Sequence, residues 1–154
     1  MKNYIKFVAL ALLTVLTVTG CEKDNKEPVI NSSITGDWHL ESSTVAEQAD
    51  VYMSLGTNGR FVIYQHLSTL GYEKFEGTYS VTATTLTGVY DDGVEWNGVY
   101  EYTLSGNGNT LTTVLKGAVS TETSVYARTE IPADLPVLTQ SRGDVAELSV
   151  RRPL

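Results

Sequence analysis

From Ile34 onward the chain alternates apolar and polar residues with a period of two. Trp38 and Leu40 alternate with Asp37, His39 and Glu41, and Val51, Met53 and Leu55 with Tyr52 and Ser54. Phe61 and Ile63 share one face, with Val62 and Tyr64 on the other. Phe75, Tyr79 and Val81 share a face across Gly77, a place for a strand to bend. Leu86 to Tyr90 follows; then Tyr100, Tyr102 and Leu104 alternate, as do Leu111, Thr113 and Leu115, and Thr121 to Arg128 closes the series. Such alternation sends one set of side chains to a core and the other to water. Turn signals divide the runs: Thr57-Asn58-Gly59-Arg60, Asp91-Asp92-Gly93 and Gly106-Asn107-Gly108-Asn109. The Asn58-Gly59 pair is expected to supply two positive φ angles.

This pattern predicts about eight short strands and an all-β domain over 34–128. Tight turns pair each strand with its sequence neighbour, which predicts an eight-stranded up-and-down antiparallel barrel. A two-sheet sandwich with a solid core fits the same spacing. In the barrel, the large residues on the inward faces predict a packed centre, leaving a shallow pocket at the mouth.

A different pattern precedes Ile34. Lys2 and Lys6 lead into an apolar run from Phe7 to Val18, interrupted only by Thr14 and Thr17. A charged start, a short apolar middle and small residues before a cut predict a signal peptide over 1–20, and the run is too short for a membrane span. The one cysteine of the chain follows at once, in Val18-Thr19-Gly20-Cys21. This stretch resembles a bacterial lipobox. The resemblance implies that Cys21 is acylated and becomes the first residue of a lipoprotein anchored by several chains. Residues 21–33 then form a polar tether, and about twelve extended residues reach roughly 40 Å. The acidic and lysine residues after Cys21 also resemble the surface-export signal of Bacteroidota lipoproteins, which implies an outer-membrane lipoprotein exposed at the cell surface. With Cys21 consumed, no disulfide, thiolate metal site or cysteine nucleophile is expected.

Charge narrows the partners. Of 154 residues, 11 are basic and 18 acidic. The first twenty hold two of the lysines and no acid, so the remainder carries a formal charge of −9. That balance argues against nucleic acid, whose binding depends on neutralising phosphates. Membrane attachment is therefore expected through the Cys21 anchor alone.

Gly36-Asp37-Trp38 at the start of the first strand resembles the Gly-x-Trp of lipocalins. Tyr126-Ala127-Arg128 at the end of the last supplies the arginine that the resemblance expects to pack across that tryptophan. The whole is similar to lipocalin-like domains of small Bacteroidota lipoproteins. The likeness implies a ligand-binding barrel in which Gly36, Trp38 and Arg128 close one end.

Catalytic chemistry is sparse. His39 and His66 each stand alone in a strand, without metal-ligand spacing. No nucleophile elbow or phosphate-cradling loop appears. Asp91, Asp92 and Glu95 beside Trp96 read as a solvated acidic hairpin. No metal, cofactor or enzymatic activity is expected. Eight of the nine tyrosines fall in the barrel region. Their abundance has two readings: β-propensity with core packing, or a ligand surface at Tyr64, Tyr79, Tyr100 and Tyr102. In residues 129–154, Ile131, Leu135, Val137 and Leu138 are placed along the barrel's outer wall, and Asp144 to Arg151 as a short helix. Arg142-Gly143-Asp144 reads as a turn. Two functions fit: a non-catalytic lipoprotein binding a small amphipathic or carbohydrate ligand, or a protein-interaction module such as a surface-complex subunit or hydrolase inhibitor. The sequence leaves the oligomeric state open.

Overall fold

The computed structural model describes residues 33–45, 49–68, 71–117, 120–138 and 154. The signal peptide expected over 1–20, Cys21, the expected tether apart from Ser33, the turn expected at Arg142-Gly143-Asp144 and the helix expected over 144–151 lie outside them. The strands are β1 (Gly36–Ser43), β2 (Asp50–Leu55), β3 (Arg60–Ser68), β4 (Gly71–Val81), β5 (Thr85–Tyr90), β6 (Tyr100–Ser105), β7 (Thr110–Lys116) and β8 (Thr121–Arg128). Each pairs antiparallel with its sequence neighbour, and β1 pairs with β8, so the sheet is a closed eight-stranded barrel. The β1–β8 pairing excludes the sandwich. Closure also removes the two edges that an open sheet would expose.

The alternating residues meet in one core. Trp38, Met53, Leu55, Phe61, Ile63, Leu86 and Leu111 are almost wholly buried, joined by Tyr79, Tyr90, Tyr100, Tyr102 and Tyr126. Register explains the match: Trp38 lies opposite Met53, Met53 opposite Ile63, and Ile63 opposite Phe75, one continuous inward row. An eight-stranded barrel has an interior just wide enough for side chains of this size.

The β2–β3 turn differs from the expectation in its chemistry. Gly59 takes a positive φ of 73°, whereas Asn58 does not enter that region. Asn58 instead accepts a hydrogen bond from the Arg60 amide at 3.1 Å, and Gly59 N–H donates to the Gly56 carbonyl. One left-handed residue suffices for this longer turn. In the β6–β7 turn Gly106, Asn107 and Gly108 all have positive φ.

The weakest seam is β5–β6, where only Thr85 with Glu101 and Leu86 with Tyr100 are in register. The connection over 91–99 folds back there and buries Trp96, 4% exposed, against Phe61 and Tyr100. Its amide donates to the Gly88 carbonyl at 2.9 Å. A Cβ at Gly88 would overlap the indole, so this strand position must lack a side chain.

Beyond β8 the chain becomes a strap. The Thr129 amide donates to the Asp37 carbonyl at 3.0 Å, and Val137 forms a parallel bridge with Tyr72. Tyr72 N–H donates to Pro136 O and Leu138 N–H to Tyr72 O, each at 2.8 Å. Ile131, Leu135 and Val137 thus lie over the outer wall of β1–β3. Gly71, at φ 140°, permits the docking, since a Cβ there would overlap the Pro136 carbonyl oxygen.

Candidate functional site

The residues expected to close one end of the barrel meet where β1 pairs with β8. Trp38 and Arg128 are register partners, so their inward side chains stack across the seam. The Arg128 guanidinium carbon stands 4.2 Å from the indole centroid, and Trp38 Nε1 donates to Ile34 O at 3.0 Å. Arg128 also donates to the carbonyls of Gly108, Thr35 and Ser33, tying the β6–β7 turn to the entry of β1. Gly36 leaves room for this, because Arg128 Nη1 occupies the space of its missing side chain.

The four tyrosines singled out as ligand contacts do not line one surface. Tyr79, Tyr100 and Tyr102 face inward and are 2%, 5% and 7% exposed, whereas Tyr64 faces outward under the strap. The Tyr79 hydroxyl donates to Gly56 O at 2.8 Å and the Tyr102 hydroxyl to Thr82 O at 3.0 Å. These phenols bond the backbone rather than offer a shallow mouth. Amphipathic placement explains it: a ring in the barrel with a hydroxyl reaching the rim satisfies both ends.

The interior has a tenant from outside the sheet. Leu154 is 4% exposed within the core, and the Tyr90 hydroxyl donates to its carbonyl oxygen at 3.2 Å. Three buried polar atoms, Gln65 Oε1, Trp96 Nε1 and Thr113 Oγ1, have no hydrogen-bond partner among the described residues. Gln65 and Thr113 fall on the inward-facing rows of β3 and β7. An unpaired buried polar atom costs roughly 1–3 kcal/mol. The interior is thus aromatic and aliphatic, with three polar points that no described residue partners. Sequence reasoning missed Tyr90, Trp96 and Leu154 as interior groups; the one legible signal was Gly88, a strand glycine eight residues before Trp96.

Burial raises the pKa of Tyr126 to about 12, with a hydrogen bond to Ser124 acting against it. Burial likewise raises Tyr100, aided by Tyr126 and Glu122. Both rings hold their protons in the folded state above the ordinary value of 10.0, where the unfolded chain loses them. Their contribution to stability is therefore complete below that value and falls as pH rises through the folded values. Tyr126→Phe should lessen the alkaline loss of stability, measured as urea midpoints across this pH range; an unchanged pH dependence would contradict the burial of its hydroxyl.

Outside, the two histidines are not isolated as the sequence suggested. Sheet register gathers them around Asp50: His39 Nε2 lies 2.7 Å from its carboxylate, the Tyr72 hydroxyl donates to it, and His66 packs on Tyr72. Burial opposes ionisation of Asp50, but the hydrogen bonds from Tyr72 and His39 outweigh it and hold its pKa below the usual range. Among the described residues no three His, Cys, Asp or Glu side chains are grouped to hold a metal ion. Asp91 makes a two-pronged ion pair with Arg60, both contacts at 2.7 Å, so the acidic hairpin is partly neutralised.

No protein-family model and no curated protein matches this chain. Solved structures similar to it include fatty-acid-binding protein 1 of Echinococcus granulosus, at 14% identity and TM-score 0.41, covering 65% of this chain and 100% of that one. Others are the fatty acid transporter REP1-NXSQ, at 12% identity and TM-score 0.43, covering 66% and 100%, and As-p18, an extracellular fatty acid binding protein, at 15% and 0.39, covering 63% and 96%. These overlaps are loose, and the fold assignment rests on the strand order and register given above.

Proposed function

We propose that this protein is a non-catalytic binding lipoprotein of the Bacteroidota type, held at the outer membrane by acyl chains on Cys21 and exposed at the cell surface. Its barrel takes a small amphipathic ligand in exchange for Leu154. The observation that carries the reading is Leu154 itself: an aliphatic side chain and a carbonyl acceptor, 64 residues along the chain from Tyr90, held among the core aromatics. What fits there is a group with an apolar body and one acceptor for the Tyr90 hydroxyl. Titration of the full chain with a fluorescent fatty acid and with oligosaccharides tests this. Weak fatty-acid binding that tightens in Leu154→Asp and weakens in Tyr90→Phe supports it. Binding indifferent to both substitutions contradicts it.

A second reading, a protein-interaction module, is favoured by the surface around the β5–β6 connection. Val89, Val94 and Val99 are 38%, 47% and 56% exposed there, beside the exposed acids Asp92 and Glu95. An apolar patch rimmed by charge suits a protein partner with a basic surface.

A further inference from the structure

The strap does not lie flat on the barrel. Between it and the outer wall is a cavity of about 340 Å³. Its wall side is Asp37, Ser54, Val62 and Tyr64, and its strap side includes Ile131 and Leu135. Register places the wall residues together, because Asp37 is opposite Ser54 and Ser54 opposite Val62, while Tyr64 follows Val62 on the same face of β3. The size falls at the lower end of the range for small-molecule sites, and the lining mixes apolar side chains with at least as much polar surface.

The charge in this cavity belongs to Asp37. Its carboxylate makes no ion pair or hydrogen bond among the described residues, although it is half-buried. Nearby cations are engaged elsewhere: Lys74 pairs with Glu76 at 2.8 Å, and Arg128 is spent on Trp38 and three backbone carbonyls. A carboxylate in a partly enclosed cleft attracts a cation brought against it. The Tyr64 ring, two strands away on the same wall of the cleft, offers an electron-rich face that attracts an ammonium group. Ile131, Leu135 and Val62 supply a floor for a short apolar body.

We infer that the cleft between strap and barrel is a binding site for a small organic cation, an ammonium group on an apolar body, with Asp37 as counter-ion. The ammonium is held by the Asp37 carboxylate and the Tyr64 face, with the Ser54 hydroxyl as acceptor. The apolar body lies between Val62 and the strap. The site is separate from the barrel interior and does not depend on Leu154.

Phenethylammonium is a suitable probe, with phenylethanol and phenylacetate as neutral and anionic controls, titrated into the nitrogen-labelled full chain. The expected result is amide shifts at Ser54, Val62, Ile131 and Leu135, with the two controls weaker by about tenfold or more. Asp37→Asn should weaken the ammonium to the level of the alcohol, leaving the Tyr72 and Leu138 amides protected. Gly71→Ala, which lifts the strap, should abolish binding while the barrel amides keep their dispersion. Equal binding of phenylethanol, or no effect of Asp37→Asn, would overturn the proposal. Shifts confined to Tyr90, Trp96 and Leu154 would also overturn it, while supporting the interior site instead.

Discussion

Trp38→Ala will destabilise the domain by about 3–5 kcal/mol, the range for deleting a large buried aromatic. Trp38 has no exposed surface, stacks against Arg128 across the β1–β8 seam and bonds Ile34 through its indole N–H. Its loss opens a cavity at the seam that makes the sheet a barrel, where β1 meets β8. Arg128→Ala will cost less, through the hydrogen bonds to Gly108, Thr35 and Ser33 as well as the stacking. The two substitutions share only the guanidinium–indole contact, so their effects should fall short of additivity by about 0.5–2 kcal/mol. A double-mutant cycle in urea measures this. Additive values would mean that Arg128 does not cover Trp38 in solution.

On the proposed acylation of Cys21, Cys21→Ser will leave the barrel folded and release it from the membrane. One acyl chain gives only reversible attachment, at about 0.8 kcal/mol for each buried methylene, whereas several chains on one cysteine hold durably. The acidic domain adds no attraction to anionic lipid. Detergent-phase partitioning of labelled protein should therefore move from almost complete to almost none. A mutant that still partitions into detergent would reveal a second anchor.

The barrel was legible because alternation carries its own test. Phe61, Ile63 and Gln65 cannot face the core unless Val62 and Tyr64 face out, and neighbouring strands must agree in register. Tight turns then fix the order. Trp96 and Leu154 obey no period, since one sits in a loop and the other beyond the last strand, so apart from Gly88 nothing marks them as interior. Tyr64 and Tyr79 show that the alternation, not the residue type, carries the information. Both are strand tyrosines, yet one lies on the inner face and the other on the outer, and residue type alone does not separate them. The group of His39, Asp50, His66 and Tyr72 was invisible for a related reason: its members come from four strands, and only register brings them together. The outer cleft depends on where the strap docks, which Gly71 permits but does not announce.

The interior exchange is tested most directly at Leu154 itself. With its methyl groups isotopically labelled in the full chain, their resonances should be strongly shifted by the ring currents of the surrounding aromatics. Saturation with a medium-chain fatty acid should move them to the positions of a solvated leucine, while the Tyr90 side-chain signals change in step. Leucine methyls at solvent positions in the free protein, or shifted methyls that stay in place at saturation, would contradict an interior shared between Leu154 and ligand.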